Sequence, residues 1–250
     1  MRGSLGDVKG FRNEAFKNRM NYRFGYLLGS SLFLVCVLFF QGCSKVQADP
    51  IEATPVAQSG PGVSGAGSKM VEARLLMGNG KIFNLYTDAK SPDNHYVPSG
   101  WMGDYGDIKL NDKFMTKPHG GTTCIQIVYT NKATQGARWG GIYWQNPPNN
   151  WGTRPGGYDL TGAKKLTFWA RGEKGGERVE EFKIGGITGE YADSDVAGIG
   201  PVVLTIEWQQ FTIDLTGKDL SSISGGFCWA TNLDVNPEGA TFYLDDIRYE

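Results

Sequence analysis

Apolar and polar positions alternate with a period of two in a series of short runs that fill the C-terminal two thirds of the chain. Cys124, Ile125, Ile127 and Tyr129 mark such a run, and Leu166 and Phe168 alternate with Thr167 and Trp169. Alternation of this kind predicts half-buried strands. Further runs cover 71–77, 82–86, 122–130, 138–145, 165–171, 178–184, 202–215, 223–231 and 240–249, each bounded by Gly, Pro, Asn or Asp. A Gly78-Asn79-Gly80 turn separates the first two. No stretch keeps a helical period over a dozen residues. Many short strands, with 36 Gly in the chain, predict an all-β sandwich or barrel. Two short echoes, Asp159-Leu-Thr-Gly and Asp214-Leu-Thr-Gly, predict a similar Asp-capped turn in each of the two sheets.

The final run breaks its own alternation. Phe242 and Leu244 share one parity, whereas Ile247 and Tyr249 share the other. An apolar face changes sides only if the strand bulges, which places a bulge at Asp245-Asp246. Adjacent carboxylates there are costly to bury without a cation or donors. Either they hold a hard cation such as calcium, or one faces solvent while the other caps nearby backbone.

The stretch 137–160 (ARWGGIYWQNPPNNWGTRPGGYDL) has too many rings and turn residues for an ordinary core element. It reads as a strand followed by a long loop that displays aromatic planes and amides. By alternation, Ile142 and Trp144 fall on one face, and Trp139 and Tyr143 on the other. The first pair is assigned to the core and the second to an open face, with Trp151 displayed in the loop. The bland alternative is a core strand and its connection. The stretch 93–112 reads as a second long loop, rich in Asp and carrying Trp101, Tyr105, His95, Asp104 and Asp107.

Composition changes the picture mainly at the N-terminus. Residues 1–43 hold a basic region, an apolar run of about 15 residues from Tyr26 to Phe40, and a Gly42-Cys43 boundary. That run is short of the roughly 20 residues that span a bilayer. Phe40-Gln41-Gly42-Cys43 is similar to a lipobox, so Cys43 is the candidate for lipidation. The basic region is long, and Met20 would make a more usual start. Residues 44–68, without an aromatic, are assigned to a linker, with a root-mean-square span of about 28 Å as a flexible coil. Residues 69–250 form the single β domain. This organisation places the domain in the cell envelope, lipid-anchored at the outer membrane or cell surface.

Six basic and two acidic residues precede Cys43, which leaves 19 basic against 24 acidic of the chain's 25 and 26, a net of −5. With no basic patch interleaved with aromatics, nucleic acid is not an expected partner. Cys124 and Cys228 allow either a disulfide or two buried thiols. No CxxC, HExxH, GxSxG or P-loop is present.

Asp-Leu-Thr-Gly followed by Leu166–Gly172, the run Trp208–Leu215 and the closing Thr241–Glu250 resemble the galactose-binding-like jelly rolls, the fold of many carbohydrate-binding modules of bacterial glycanases. The resemblance covers about residues 70–250. It implies an antiparallel two-sheet jelly-roll sandwich that binds a polysaccharide or glycan, with a separate glycanase as a functional partner. It also implies a structural calcium held by Asp245 and by the N-terminal strand region, where Asp88 and Asn84 are placed.

Sugar binding needs flat apolar surface and hydroxyl partners. The candidates are Trp139, Tyr143, Trp151 and Trp101 as rings, with Arg138, Arg154 and Asn150 as polar partners. Trp169, Trp208 and Trp229 are assigned to core or rim, and His119 to a solvated turn. No pair of carboxylates is marked by spacing as acid and base, so non-catalytic binding is favoured. The alternatives are a jelly-roll glycosidase or lyase using His95 or Arg138 with Asp104 or Asp107, and an envelope assembly factor.

Overall fold

The computed structural model describes Gly80 and residues 82–250. The leader, Cys43, the linker, and the expected strand 71–77 with its turn lie outside the described residues. Thirteen strands follow: β1 (Phe83–Tyr86), β2 (Val97–Gly103), β3 (Ile108–Phe114), β4 (Cys124–Tyr129), β5 (Trp139–Gln145), β6 (Lys165–Gly172), β7 (Arg178–Val179), β8 (Glu181–Gly185), β9 (Val196–Ile199), β10 (Val202–Val203), β11 (Gln209–Asp214), β12 (Gly225–Asn232) and β13 (Ala240–Tyr249). The first sheet runs β11-β6-β13-β4-β3, with β1 also paired to β13, and the second runs β2-β5-β12-β8-β9. The pairings are antiparallel, and β7 and β10 form a short ribbon of their own. The fold is an antiparallel two-sheet jelly-roll sandwich.

Alternating side chains from the two sheets meet in one core. Ile142, Trp144, Phe182, Phe227 and Trp229 enter from the second sheet, and Ile125, Ile127, Leu166, Phe168, Phe242 and Leu244 from the first. Phe168 packs against Phe182 and Phe227 with ring centroids 4.7 and 5.2 Å apart. Trp229 meets Phe242 edge to face at 5.0 Å. Each such ring stabilises the fold by about 1.5–3 kcal/mol through burial.

The bulge in β13 is present. The register to β6 shifts between Asp245 and Arg248, and Asp246 adopts φ 46°. On its other side β13 pairs with β4 through Leu244 and with β1 from Ile247. The bulge therefore sits where one neighbouring strand replaces another. Asp159 and Asp214 accept N–H bonds from Thr161 and Thr216, at 3.0 and 2.9 Å. These turns flank the adjacent strands β6 and β11 and so belong to one sheet, not to each of two.

Three strands were not visible in the pattern. β2 is an edge strand containing Pro98 and two Gly, and β3 lies in the Asp-rich segment read as loop. β9 (Val196–Ile199) is short. The run 202–215 also divides, into β10 and β11. Cys124 and Cys228 are free, buried thiols in different sheets.

Candidate functional site

The outward side of the second sheet follows from the registers. One row across the strands is Gly100, Tyr143, Cys228, Lys183 and Gly198; the next is Met102, Gly141, Ala230 and Glu181. Gly100, Tyr143, Gly141 and Cys228 are buried, so the accessible floor of the face is Met102, Ala230, Glu181, Lys183 and Gly198. At one end of it, Trp139 is paired with Asn232 and is 40% exposed. Above Tyr143 stands Trp151, also 40% exposed, with ring centroids 5.9 Å apart. Trp139 and Tyr143 are four residues apart along β5, or about 13 Å. Trp139 and the Tyr143 ring that carries Trp151 thus stand at separate positions along β5.

Each indole is held by polar contacts that the local sequence supplies. Before Trp139, the buried Asp104 carboxylate accepts the N–H groups of Gln135, Ala137 and Arg138, at 2.9, 2.9 and 2.6 Å. Asp107 accepts the Thr134 N–H at 3.1 Å and also its hydroxyl. Burial raises the Asp107 carboxyl, but the Thr134 bonds and other donors outweigh it and leave the group below its ordinary value. Behind Trp151, Gly152 has φ 76° and its carbonyl accepts the Tyr191 N–H at 3.0 Å. A Cβ on Gly152 would lie 2.1 Å from the Thr188 carbonyl oxygen, so only glycine fits there. The 187–193 segment is in turn tied down by Asp193, which accepts N–H groups from Ile187, Ser224 and Gly225. Burial pushes the Asp193 carboxyl up, against the pull of those bonds.

Several expected ligand contacts stand elsewhere. Tyr143 has the outward parity but is only 5% exposed. It packs with Ile187, Cys228 and Met102, and its hydroxyl donates to Gly185 O at 3.0 Å. Burial pushes this phenol far above its usual value, so Tyr143 is a support and not a displayed ring. Asn150 is fully buried. Its Nδ2 donates to Arg154 O at 3.0 Å, and its own carbonyl accepts Gln145 Nε2 at 2.9 Å, which makes it a loop brace. Arg154 donates to Pro148 O, and Arg138 pairs with Asp234 at 2.8 Å. Trp101 is exposed, yet it is paired with Ile142, whose side chain enters the core. It therefore has the inner parity at the sheet edge and does not share a face with Trp139.

Sequence reasoning missed Lys183 and Glu181, which form an ion pair at 2.8 Å on the floor. Lys183 Nζ lies 5.6 Å from the Tyr143 ring centroid. Their alternation with core Phe182 was the available signal, but nothing local ties β8 to β5. Beyond them a cavity of about 370 Å³, lined by Glu180, Glu181, Gly198, Ile199 and Gly200, continues the face to the sheet edge.

The residues of the enzymatic alternative are otherwise engaged. Asp104 and Asp107 cap backbone, and His95 Nδ1 is 2.8 Å from Asn84 O while its ring stacks on Phe83 at 4.0 Å. His119, expected in a solvated turn, stacks on Trp169 at 3.8 Å with Nδ1 2.7 Å from Asp246.

The expected calcium ligands are both near the 119–123 turn. Asp245 accepts the N–H groups of His119 and Gly120 on one oxygen, at 2.8 and 3.2 Å, and that of Asp246 on the other, at 2.9 Å. Burial raises its carboxyl to about 6. Asp88 accepts four donors from Thr122 and Thr123 on Oδ1; it lines a cavity of about 580 Å³ with Lys90 and Lys113. Such donors compete with a cation for the same oxygens. Among the described residues no group of three or more His, Cys, Asp or Glu is placed to hold a metal ion.

No family model matches the chain, and no curated protein sequence does. Solved structures with a similar arrangement include a family 30 carbohydrate-binding module, 17% identical, covering 68% of this chain and 98% of that one, with a TM-score of 0.46. Another is the family 11 carbohydrate-binding module of a cellulosomal cellulase of Clostridium thermocellum, at 15% identity, 66% and 92% coverage and a TM-score of 0.40. A third is a xylan-binding domain from Paenibacillus barcinonensis, at 12%, 68% and 91%, with a TM-score of 0.39. At these scores and identities, the sugars of those proteins say nothing about this one.

Proposed function

We propose that this protein binds a polysaccharide chain, without catalysis, across the outward face of the second sheet. The supporting observation is the pair of exposed indoles, Trp139 and Trp151, at separate positions on that face beside a floor of Ala230, Glu181, Lys183 and Gly198. A stacked ring hiding about 50–80 Å² contributes roughly 1–2 kcal/mol. Two rings and a few hydrogen bonds to Lys183 and Glu181 give dissociation constants in the mM to μM range, about −4 to −8 kcal/mol. In this reading Cys43 carries the lipid, and residues 44–68 extend the domain from the envelope toward its glycan, where a separate glycanase acts on it. Calorimetry of the full chain against a panel of soluble glycans tests the binding. Heat with none of them, from protein that melts cooperatively, would sink the reading. Metabolic labelling with a radioactive fatty acid tests the anchor, which requires label lost in Cys43→Ser.

A further inference from the structure

The outward face of the first sheet holds a second arrangement that the reading above does not use. Arg171 on β6 is only 7% exposed. Its Cζ lies 3.8 Å from the Tyr243 ring centroid and 5.3 Å from that of Trp208. A guanidinium has five N–H donors. Among the described residues, Arg171 makes one hydrogen bond, from Nη1 to Gly172 O at 3.3 Å, and no ion pair, and its buried Nε is without a partner. A buried cation with unmet donors is costly. The side chain lines a cavity of about 350 Å³, bounded by Phe114, Lys117, Glu173, Ile206, Glu207 and Trp208. The walls are fixed: the Trp208 indole donates to Lys117 O at 3.0 Å, and the Tyr243 hydroxyl donates to Glu173 at 2.5 Å.

We infer that this cavity is a second sugar site, which takes a neutral, hydroxyl-bearing ring such as a pyranose. The cations Arg171 and Lys117 are balanced by Glu173 and Glu207, so a free anion meets as much repulsion as attraction. A hydroxyl, by contrast, accepts from Arg171 and donates to a carboxylate at once. Trp208, Phe114 and Ile206 supply the apolar wall for the C–H face of the ring. The site lies on the opposite side of the sandwich from Trp139 and Trp151 and does not depend on their role. With both faces occupied, one domain joins two chains or two turns of one chain.

The test uses the full chain with ¹⁵N-labelled indoles in the double variant Trp139→Ala/Trp151→Ala, titrated with cellohexaose, xylohexaose, mannohexaose and trigalacturonate. The Trp208 cross-peak, identified by its loss in Trp208→Phe, is expected to move saturably with a neutral oligosaccharide at mM concentration. Glu173→Gln and Arg171→Lys, which keep the packing volume, are each expected to weaken this about tenfold. A Trp208 cross-peak unmoved by every neutral sugar at about 10 mM overturns the inference, as does movement with trigalacturonate alone or undiminished affinity in both conservative variants. In the wild type, the Trp139 and Trp151 cross-peaks report the other face separately, so either site can fail alone.

Discussion

Tyr143 and Trp151 meet edge to face, with ring centroids 5.9 Å apart and planes at 87°. The buried ring props the displayed one. Trp151→Ala is therefore expected to weaken glycan binding about tenfold, the equivalent of roughly 1–2 kcal/mol, with little change in melting temperature. Tyr143→Phe keeps the prop but leaves the Gly185 carbonyl without its bond. It should cost about 1 kcal/mol of stability and leave affinity nearly unchanged. Calorimetry paired with urea melts checks both. Binding lost in Tyr143→Phe with stability intact would place its hydroxyl on the ligand instead.

The floor makes its own prediction. Ala230 is paired with Gly141 on one side and Glu181 on the other. Ala230→Leu raises a ridge across the face without entering the core. Affinity is expected to fall more than about tenfold, a cost of at least 1.4 kcal/mol, while the melt stays cooperative. Unchanged affinity would show that the chain does not cross β12.

Gly152 sets the height of Trp151. A side chain there is strained by the positive φ and by the Thr188 carbonyl. Gly152→Ala is expected to lower stability by about 1 kcal/mol or more and to lose as much affinity as Trp151→Ala. A shifted Trp151 indole resonance in the ligand-free variant distinguishes displacement of the ring from general unfolding.

The pH response of the Trp139 end follows from Asp107. Its folded carboxyl lies below the ordinary value, so its stabilising contribution is present above the unfolded pKa, near 3.9. That contribution is lost as pH falls through the folded value. Asp107→Asn should therefore be less stable than wild type at pH 7, with the gap closing toward pH 3. A gap that widens on acidification would contradict this assignment. Melting curves of the two proteins at several pH values measure it.

Much of the sandwich was legible because two central strands alternate: β4 and β6 announce core and surface by parity. β13 revealed even its bulge, since Leu244 and Ile247 could not share a face otherwise. β2 and β3 were hidden for different reasons. Edge position lets β2 keep Pro98, while β3 alternates Ile108 and Leu110 with Lys109 and Asn111 inside a segment whose Asp residues suggest loop. At the site, Trp139 and Trp151 were visible as rings outside the core pattern. The burial of Tyr143 was not, because the cover comes from residues 185–187, which no local signal links to β5. Arg171 escaped notice, and Trp208 was assigned only to core or rim, because pairing between β6, β11 and β13 brings them together, and pairing is a long-range property.

The two thiols give each sheet its own chemical witness. Cys124 in β4 and Cys228 in β12 are buried and unpaired, and burial pushes the Cys124 thiol up to about 12 and the Cys228 thiol higher still. Neither exposes thiolate while its strand is in place. The order in which they react with a thiol reagent under rising denaturant therefore tells which layer of the sandwich opens first.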